Sequence, residues 1–393
     1  MIELSPENRV ILASIALQPS AEEMEKMNAL IPEVSDWEYL ASTITDRGIA
    51  PLLHVKLPQL SNTALVPEHV KWHLKQAYYK SLSRGAVLYD YFRKVNLAFS
   101  ARGIEAIALK GIYLSEYLYK DIALRQFSDI DLLVRKEDAH SCLELLSEMG
   151  YVESDSGETD FVKSQVEIIH YPAMVKDGVS IEIHIKLHAT AETYHLPTAT
   201  MWQNAVPTTI NKASVKVLAP YDLLIHLCVH LDKHFRIGHV QFTCFMDITN
   251  YLREFALSIN WIVFADVCIQ YNAEAAVYKH LLLVNKYMNA PVPADVLARY
   301  ASSLTEDDEV LFVKYLGGYT VVDKLNTVPS HLRYLKLMTK PSDRIRYVWE
   351  VIFPPRSFMI PKYHIKHQAH VWFYYPYRWW KGVRGLFSVI SKQ

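Results

Sequence analysis

Two aspartates, Asp129 and Asp131, stand one residue apart at the start of the apolar segment DIDLLV. In an extended strand, side chains two residues apart point to the same side, so both carboxylates would share one face, with Ile130 and Leu132 on the other. Carboxylates held that close repel each other unless a positive charge lies between them. A divalent metal supplies that charge, and Mg²⁺ bound by one or two carboxylates can orient the phosphates of a nucleoside triphosphate (NTP).

A third carboxylate lies in a later segment, VSIEIHIKLH, where Glu182, His184 and Lys186 alternate with three isoleucines. This alternation predicts a strand with one polar and one apolar face. On a strand next to the aspartates, Glu182 would complete a two-metal site and His184 would be an active-site contact. The alternative for His184 is simply the polar face of a half-exposed strand.

Basic residues near the aspartates favour a site that binds phosphate. Lys110 and Gly111 end a short candidate strand, IEAIALKG, and Arg125 comes shortly before the acidic pair. The alternative is that Asp129 is a loop or cap residue and Asp131 an edge-strand acid facing water, because short acidic pairs are frequent. The convergence of acids, lysine, glycine and arginine favours the metal site.

The periodicity of apolar residues predicts the elements that position these groups. We expect an α+β fold in which a small mixed β-sheet, with the order βαβαββ in residues 102–190, is flanked by N- and C-terminal helical regions. The N-terminal helical region would cover 1–101, the C-terminal helical domain 191–340, and a basic aromatic tail 341–393. An Asp-Gly pair at 177–178 predicts a hairpin between the last two strands of the core.

Composition sets the broad class of protein. The chain has 393 residues, a formal net charge of -1 and four scattered cysteines, which is typical of a reducing compartment. The N-terminus shows no secretory signal, and no apolar run approaches the roughly 20 residues of a membrane span. We therefore expect a soluble, cytoplasmic protein without a transmembrane segment.

The tail, 341–393, differs from the rest in charge and aromatic content. It holds nine Lys/Arg, two acids and four of the eight tryptophans. This composition fits contact with an anionic membrane surface, stacking on RNA, or packing on an acidic partner. Equally, its aromatic residues would cover the seam between domains while its cations stay in water.

Three histidines, His226, His230 and His234, recur every four residues in HLCVHLDKHF and would lie along one side of a helix. With Asp247 they offer ligands for a metal, but the spacing matches no established zinc motif. We expect them to line the seam between this helix and the catalytic sheet.

The segment ALKGIYLSEYLYKDIALRQFSDIDLLV, together with a helix ending in MGY and the strand IEIHIKL, resembles the DNA polymerase β-like nucleotidyltransferase superfamily. It looks most like the uncharacterised bacterial nucleotidyltransferase family with an LKG…R…DIDLLV…GY…ElH pattern. Abortive-infection-type toxin nucleotidyltransferases have a similar core, which implies tRNA or protein as acceptors.

The resemblance implies a role for each matching residue. Asp129 and Asp131 would bind the metals, and Glu182 would be the third ligand and a base for the attacking hydroxyl. Lys110 and Gly111 would match the loop that holds the triphosphate, since glycine permits close approach and lysine supplies a compact charge.

This sequence departs from the superfamily pattern in two ways. The usual Gly-Ser or Gly-Gly pair is Gly111-Ile112 here, and Asp129 follows Gly111 at an interval of 18 positions. Ser115, one helical turn further on, would replace the missing hydroxyl contact.

Nucleotidyl transfer needs alignment and neutralisation of developing negative charge more than covalent chemistry. Arg125 is suited to bind phosphate in a fork. Its alternative role is a salt bridge that orients Asp129 or Asp131.

These features predict a Mg²⁺- or Mn²⁺-dependent nucleotidyltransferase that moves an NMP from an NTP to an acceptor and releases pyrophosphate. The acceptor stays open among RNA, protein, sugar and small molecule. The alternative is a catalytically reduced scaffold that uses the same pocket, or the tail, to bind RNA, lipid or a protein partner. The presence of all three acids favours the enzyme.

Overall fold

The computed structural model describes residues 2–154, 170–188, 194–237 and 240–318, and in the C-terminal segment 341–354, 356, 359–360, 363, 365 and 370–390. The N-terminal region is helical, as predicted, with helices α1 (Pro6–Ala13), α2 (Ala21–Leu30), α3 (Trp37–Asp46), α4 (Ala50–Lys56) and α5 (Glu68–Ala101). Side-chain caps fix the first helices: Ser5 caps α1, and Asp36 caps α3 by accepting a hydrogen bond from the Tyr39 amide. Such caps satisfy amide donors that have no partner within the helix.

The central element is a mixed sheet of seven strands within the described residues. The strands are β1 (Ala106–Ala108), β2 (Asp129–Val134), β3 (Val152–Glu153), β4 (Met174–Lys176), β5 (Val179–His184), β6 (Val206–Ile210) and β7 (Ala213–Val217). Their order across the sheet is β3-β4-β5-β2-β1-β7-β6. Helices α6 (Gly111–Tyr117) and α7 (Ala139–Glu148) flank β2 in the chain. Within 102–190 the elements run βαβαβββ, so the predicted succession holds except for one additional short strand, β3, and β2 lies at the centre of the sheet.

Alternation along β2 separates a buried apolar face from a polar one. Ile130, Leu132 and Val134 are fully buried in a cluster shared with α5 and α7. The opposite face of the sheet packs on a second cluster that contains residues of both terminal helical regions. This arrangement confirms the predicted strand and explains how it tolerates charged residues: its reverse face is anchored by hydrophobic burial.

The predicted Asp-Gly hairpin is confirmed. β4 and β5 pair antiparallel, and Asp177 and Gly178 turn the chain with φ of 50° and 74°, the conformation that favours Asn, Asp and Gly. The predicted strand that leads into this turn began at residue 166; its first residues, 166–169, lie outside the described part of the chain.

A second hairpin, β6–β7, was not predicted. It extends the sheet next to β1, in residues 206–217, which the sequence had assigned to the C-terminal helical domain 191–340. Its turn uses Asn211 and Lys212 with positive φ instead of a glycine, and Pro207 lies in the edge strand β6. Without a glycine turn or a run of apolar residues, the segment lacks the usual hairpin signal.

The C-terminal region returns to helices. These are α8 (Thr198–Asn204), α9 (Pro220–Ile237), α10 (Thr243–Phe255), α11 (Trp261–Gln270), α12 (Glu274–Met288), α13 (Ala294–Arg299) and α14 (Glu306–Leu316). They share a hydrophobic core with the N-terminal helices. Asn250 on α10 reinforces this contact, since its side chain accepts from the Leu17 amide at 2.8 Å and donates to the Ile15 carbonyl at 3.0 Å. The fold is therefore α+β, with helical regions around a sheet.

The basic aromatic tail contains α15 (Pro341–Ile352) and α16 (Val371–Ile390). Met359, Ile365, Val371 and Tyr375 form a small core of their own, while several large aromatic side chains of the tail are exposed, Trp349 among them. Contact of the tail with an anionic surface stays a prediction. Within the described parts of the chain, no helix combines the length and the apolar character needed to cross a bilayer.

Candidate active site

The two strands that carry the acids lie side by side. β2 and β5 pair in parallel, and their register sets Asp131 opposite Glu182 and Asp129 opposite Ser180. Because both strands alternate with a period of two, the acidic side chains share one face, as the sequence predicted. Asp131 is buried, whereas Asp129 and Glu182 are partly exposed.

Each oxygen of Asp131 has a basic partner. Lys110 Nζ lies 3.1 Å from Asp131 Oδ2, and His184 Nε2 lies 3.0 Å from Asp131 Oδ1. The same His184 nitrogen lies 3.6 Å from Glu182 Oε2. The structure therefore brings together four of the predicted site residues: Lys110, Asp131, Glu182 and His184.

The carboxyl groups of the two aspartates differ in acidity because their surroundings differ. Burial and the neighbouring carboxylates of Asp131 and Glu182 raise the pKa of Asp129 to about 6. Burial would also raise the pKa of Asp131, but Lys110 and His184 outweigh it and hold that pKa well below its usual range. Asp129 thus lacks enough positive charge nearby, which is the condition that a bound cation relieves.

The group fits a divalent cation. Asp131, Glu182 and His184 offer ligand atoms that all lie within 4.8 Å of one another. Asp129, an expected ligand, is outside this group, because the register sets it against Ser180, one step away from Glu182. Two carboxylates and one imidazole are a ligand set that suits Mn²⁺, which accepts nitrogen ligands. Mg²⁺ binds to one or two carboxylates and completes its coordination with oxygen ligands from water or phosphate.

The loop at Lys110 is strained and closely packed. Lys110 adopts φ 41° and ψ -107°, a conformation that residues with a side chain rarely occupy. A Cβ on Gly111 would lie only 2.9 Å from Arg125 Nη1 and 3.0 Å from Phe127. Strain of this kind persists where the surrounding structure imposes it, and it concentrates at functional sites.

Arg125 forms a different ion pair from the expected one. Its Nε and Nη2 bind the two oxygens of Asp247 at 2.8 and 2.6 Å, and Tyr119 donates a hydrogen bond to the same carboxylate at 3.0 Å. The salt bridge expected with Asp129 or Asp131 is therefore replaced by one with α10. Asp247 is also removed as a metal partner for the histidines. Sequence spacing did not show this pairing, since 122 residues separate its members.

A cavity of about 1100 Å³ opens over the acids. Its wall combines the sheet and the Lys110 loop with the end of α3, with α5 and with α9. This volume slightly exceeds the range of about 300–1,000 Å³ for small-molecule sites, so the cavity has room for more than one small ligand. Ser115 is not part of the lining: it is fully buried on α6, so its hydroxyl does not face the cavity.

The histidine row lines this cavity, as predicted. The rings of His226 and His230 have centroids 6.0 Å apart, and those of His230 and His234 are 4.4 Å apart. Burial, followed by the positive charges of Lys110 and His184, lowers the pKa of His226 to about 3. Burial likewise lowers the pKa of His230 well below its usual range. Both rings are neutral at physiological pH, and they present uncharged polar atoms to the cavity.

The low pKa of His226 predicts a loss of stability in acid. Unfolded chains protonate this ring near pH 6.5 and the folded protein only near pH 3, so the unfolded state binds more protons between these values. The contribution of His226 to the free energy of unfolding is therefore fully present above pH 6.5. It falls by about 1.4 kcal/mol for each pH unit between pH 6.5 and the folded pKa of about 3. The free energy of unfolding, measured with urea at pH 7.5, 6.5, 5.5 and 5.0, should decline less steeply with falling pH in His226→Gln than in wild type. Parallel declines would disprove the assignment.

Residues of the N-terminal helices also line the site, and no sequence pattern predicted this. Arg84 on α5 donates from Nη2 to the carbonyl of Ser128 at 2.7 Å and to that of Gly178 at 3.0 Å. It ties the start of β2 to the β4–β5 turn. Arg47, which follows α3, and Ser81 on α5 are further lining residues.

Comparison with known sequence profiles identifies the family of this chain. The sequence profile of a family described as "Uncharacterised nucleotidyltransferase" matches residues 33–289. A crystal structure of an antigenic nucleotidyltransferase-like protein from Paracoccidioides brasiliensis is similar at 14% identity, with 56% of this chain and 97% of that chain covered and a TM-score of 0.30. The comparison with curated proteins found no match. Because the profile spans well over half of the 393 residues, the chain belongs to the family of uncharacterised nucleotidyltransferases.

Proposed function

We propose that the protein is a metal-dependent nucleotidyltransferase. An acceptor oxygen attacks the α-phosphorus of an NTP, the bond from that phosphorus to the oxygen of the β-phosphate breaks, and pyrophosphate leaves. The observation that carries the proposal is the cluster of Asp131, Glu182 and His184 beside Lys110, in a chain of this family.

The proposed ion would be Mg²⁺ or Mn²⁺, held by Asp131, Glu182 and His184, with Asp129 as a further carboxylate. When bound, it would neutralise charge on the phosphate oxygens and favour loss of the acceptor proton. Among the three acids, Asp129 has a pKa raised to about 6 and Asp131 and Glu182 have lowered ones. Until a cation binds, Asp129 is therefore the most basic of the three carboxylates, and Glu182 keeps the proposed role of base for the attacking hydroxyl.

Lys110 and Gly111 are assigned to the triphosphate. Burial would lower the pKa of Lys110, but Asp131 outweighs burial and raises it, so the ammonium is charged at neutral pH. Nearby phosphate oxygens would be a second set of acceptors for that ammonium, which carries three donors. The close packing at Gly111 holds the loop in place at the wall of the cavity.

Calorimetry tests the donor half of the proposal. Each of the four common NTPs is titrated into wild type and into Asp129→Ala/Asp131→Ala, with Mg²⁺ and with EDTA. We expect binding of at least one NTP that requires both Mg²⁺ and the acids. Equal binding by the two proteins, or no metal-dependent binding by either, would refute the proposal and favour a scaffold.

A further inference from the structure

Arg47 is a buried cation that has no counter-charge among the described residues. Its residue is 8% exposed, and among the described residues its guanidinium has no ion pair, while its Nε has no hydrogen-bond partner. Burial lowers its pKa, and Asp46 and Tyr39 oppose this only through longer-range attraction. Removing an ion from water without pairing it is costly, so such a group normally marks a site where a partner is missing.

The position of Arg47 connects it with the candidate active site. It caps the end of α3 and lines the same cavity as Lys110 and Asp131. Three arginines line that cavity: Arg125 is bound to Asp247, Arg84 is bound to two carbonyls, and Arg47 alone has no bound acceptor among the described residues. The partial negative charge at the end of a helix is too weak to balance a buried guanidinium.

Neighbouring groups provide space and a further donor. A Cβ on Gly318 would lie 3.4 Å from Arg47 Nη2, so the glycine leaves room beside the guanidinium. Ser81 on α5 lines the cavity as well; it is 6% exposed and its Oγ has no hydrogen-bond partner among the described residues. Lys80, the preceding residue, adds an exposed cation to the lining.

We propose that Arg47 and Ser81 form a phosphate-binding subsite, distinct from the Lys110 loop and supplied by the N-terminal helices. A guanidinium offers planar paired donors that match phosphate oxygens, and a hydroxyl adds another. The inference deepens the proposed function and rests on it for the choice of phosphate among anions. The phosphate belongs either to the tail of the donor NTP or to a phosphorylated acceptor.

The test uses Arg47→Met in the full chain, with Arg93→Met as the matched control, since Arg93 is a half-exposed residue of α5 paired with Asp90 and outside the cavity lining. Calorimetry in EDTA measures binding of inorganic tripolyphosphate and inorganic phosphate. We expect Arg47→Met to bind at least one of them at least 10-fold more weakly than wild type, and Arg93→Met to match wild type. The unfolding midpoint of Arg47→Met should equal or exceed that of wild type, because an unpaired buried charge is removed.

Two further arms identify the source of the phosphate. If the subsite holds the NTP tail, Arg47→Met weakens Mg²⁺·NTP and tripolyphosphate but leaves NMP unchanged. If it holds an acceptor phosphate, NTP affinity is unchanged and inorganic phosphate binding in the presence of a non-hydrolysable NTP analogue is lost. Either result supports the subsite.

Unchanged affinity of Arg47→Met for every one of these anions would overturn the inference, as would a lowered unfolding midpoint with unchanged binding. The arms in EDTA keep the two proposals apart. Asp131→Asn should retain tripolyphosphate binding in EDTA. If wild type binds tripolyphosphate in a way that requires Arg47 but shows no metal-dependent binding of NTP, the proposed function is refuted and the subsite is still supported.

Discussion

Asp131→Asn should lower nucleotidyl transfer by at least about 1000-fold while the protein stays folded. Asparagine keeps the shape of the side chain and removes the charge that pairs with Lys110 and His184. The substitution therefore alters a central member of the proposed metal site and leaves the reverse face of β2 unchanged. The measurement is transfer of label from an NTP in cell lysate, with thermal unfolding followed by circular dichroism on the same samples.

A second readout reports on the site without requiring the acceptor. Burial would lower the pKa of His184, yet Asp131 and Glu182 raise it above its usual value. In Asp131→Asn that pKa should fall, which an NMR titration of the imidazole measures. Asp90→Asn on α5, an exposed acid paired with Lys94, is the matched control and should change neither transfer nor the His184 titration. Transfer by Asp131→Asn at the wild-type rate would contradict the assignment.

Arg125→Met should destabilise the fold by about 3–5 kcal/mol, because it leaves the carboxylate of Asp247 buried without its partner. Arg125 and Asp247 are 5% and 1% exposed, and they share two hydrogen bonds. The double variant Arg125→Met/Asp247→Asn should regain most of the lost stability. It removes both charges, and the asparagine oxygen can still accept the hydrogen bond from Tyr119.

Urea unfolding gives the free energies for this comparison, with an unchanged m-value as the sign that the unfolded state is the same. A loss below about 1 kcal/mol in Arg125→Met would show that water reaches Asp247 and that the pair is not a buried one. The ion pair bears on function because it positions the loop that carries Lys110. Arg125 packs under Gly111, so the ion pair ties α10 to the loop that presents Lys110.

The strands of the site could be predicted from sequence because their signal is local. Alternation of Asp131 and Glu182 with buried aliphatic residues set both strands and the shared acidic face, and Asp177-Gly178 set the hairpin. The β6–β7 hairpin could not be predicted in this way, since Asn211 and Lys212 turn the chain without a glycine.

The composition of the site was harder to predict because it depends on register and on distant contacts. Pairing of Asp129 with Ser180 left Asp129 outside the compact group and brought His184 into it. The rotation of α6, which buries Ser115, likewise follows from tertiary packing. Arg47 reaches the cavity from the end of a helix that lies more than 50 residues before the core, a proximity that no spacing in the sequence encodes.

The most direct measurement of the central claim compares NTPs labelled at the α-phosphorus and at the γ-phosphorus. Wild type and Asp131→Asn are incubated with each labelled NTP, Mg²⁺ or Mn²⁺, and cell lysate. The account predicts that α-label joins a lysate component only with wild type and a divalent metal, while γ-label appears in released pyrophosphate. Transfer of γ-label to the lysate component, or α-label transfer that Asp131→Asn retains, would contradict it.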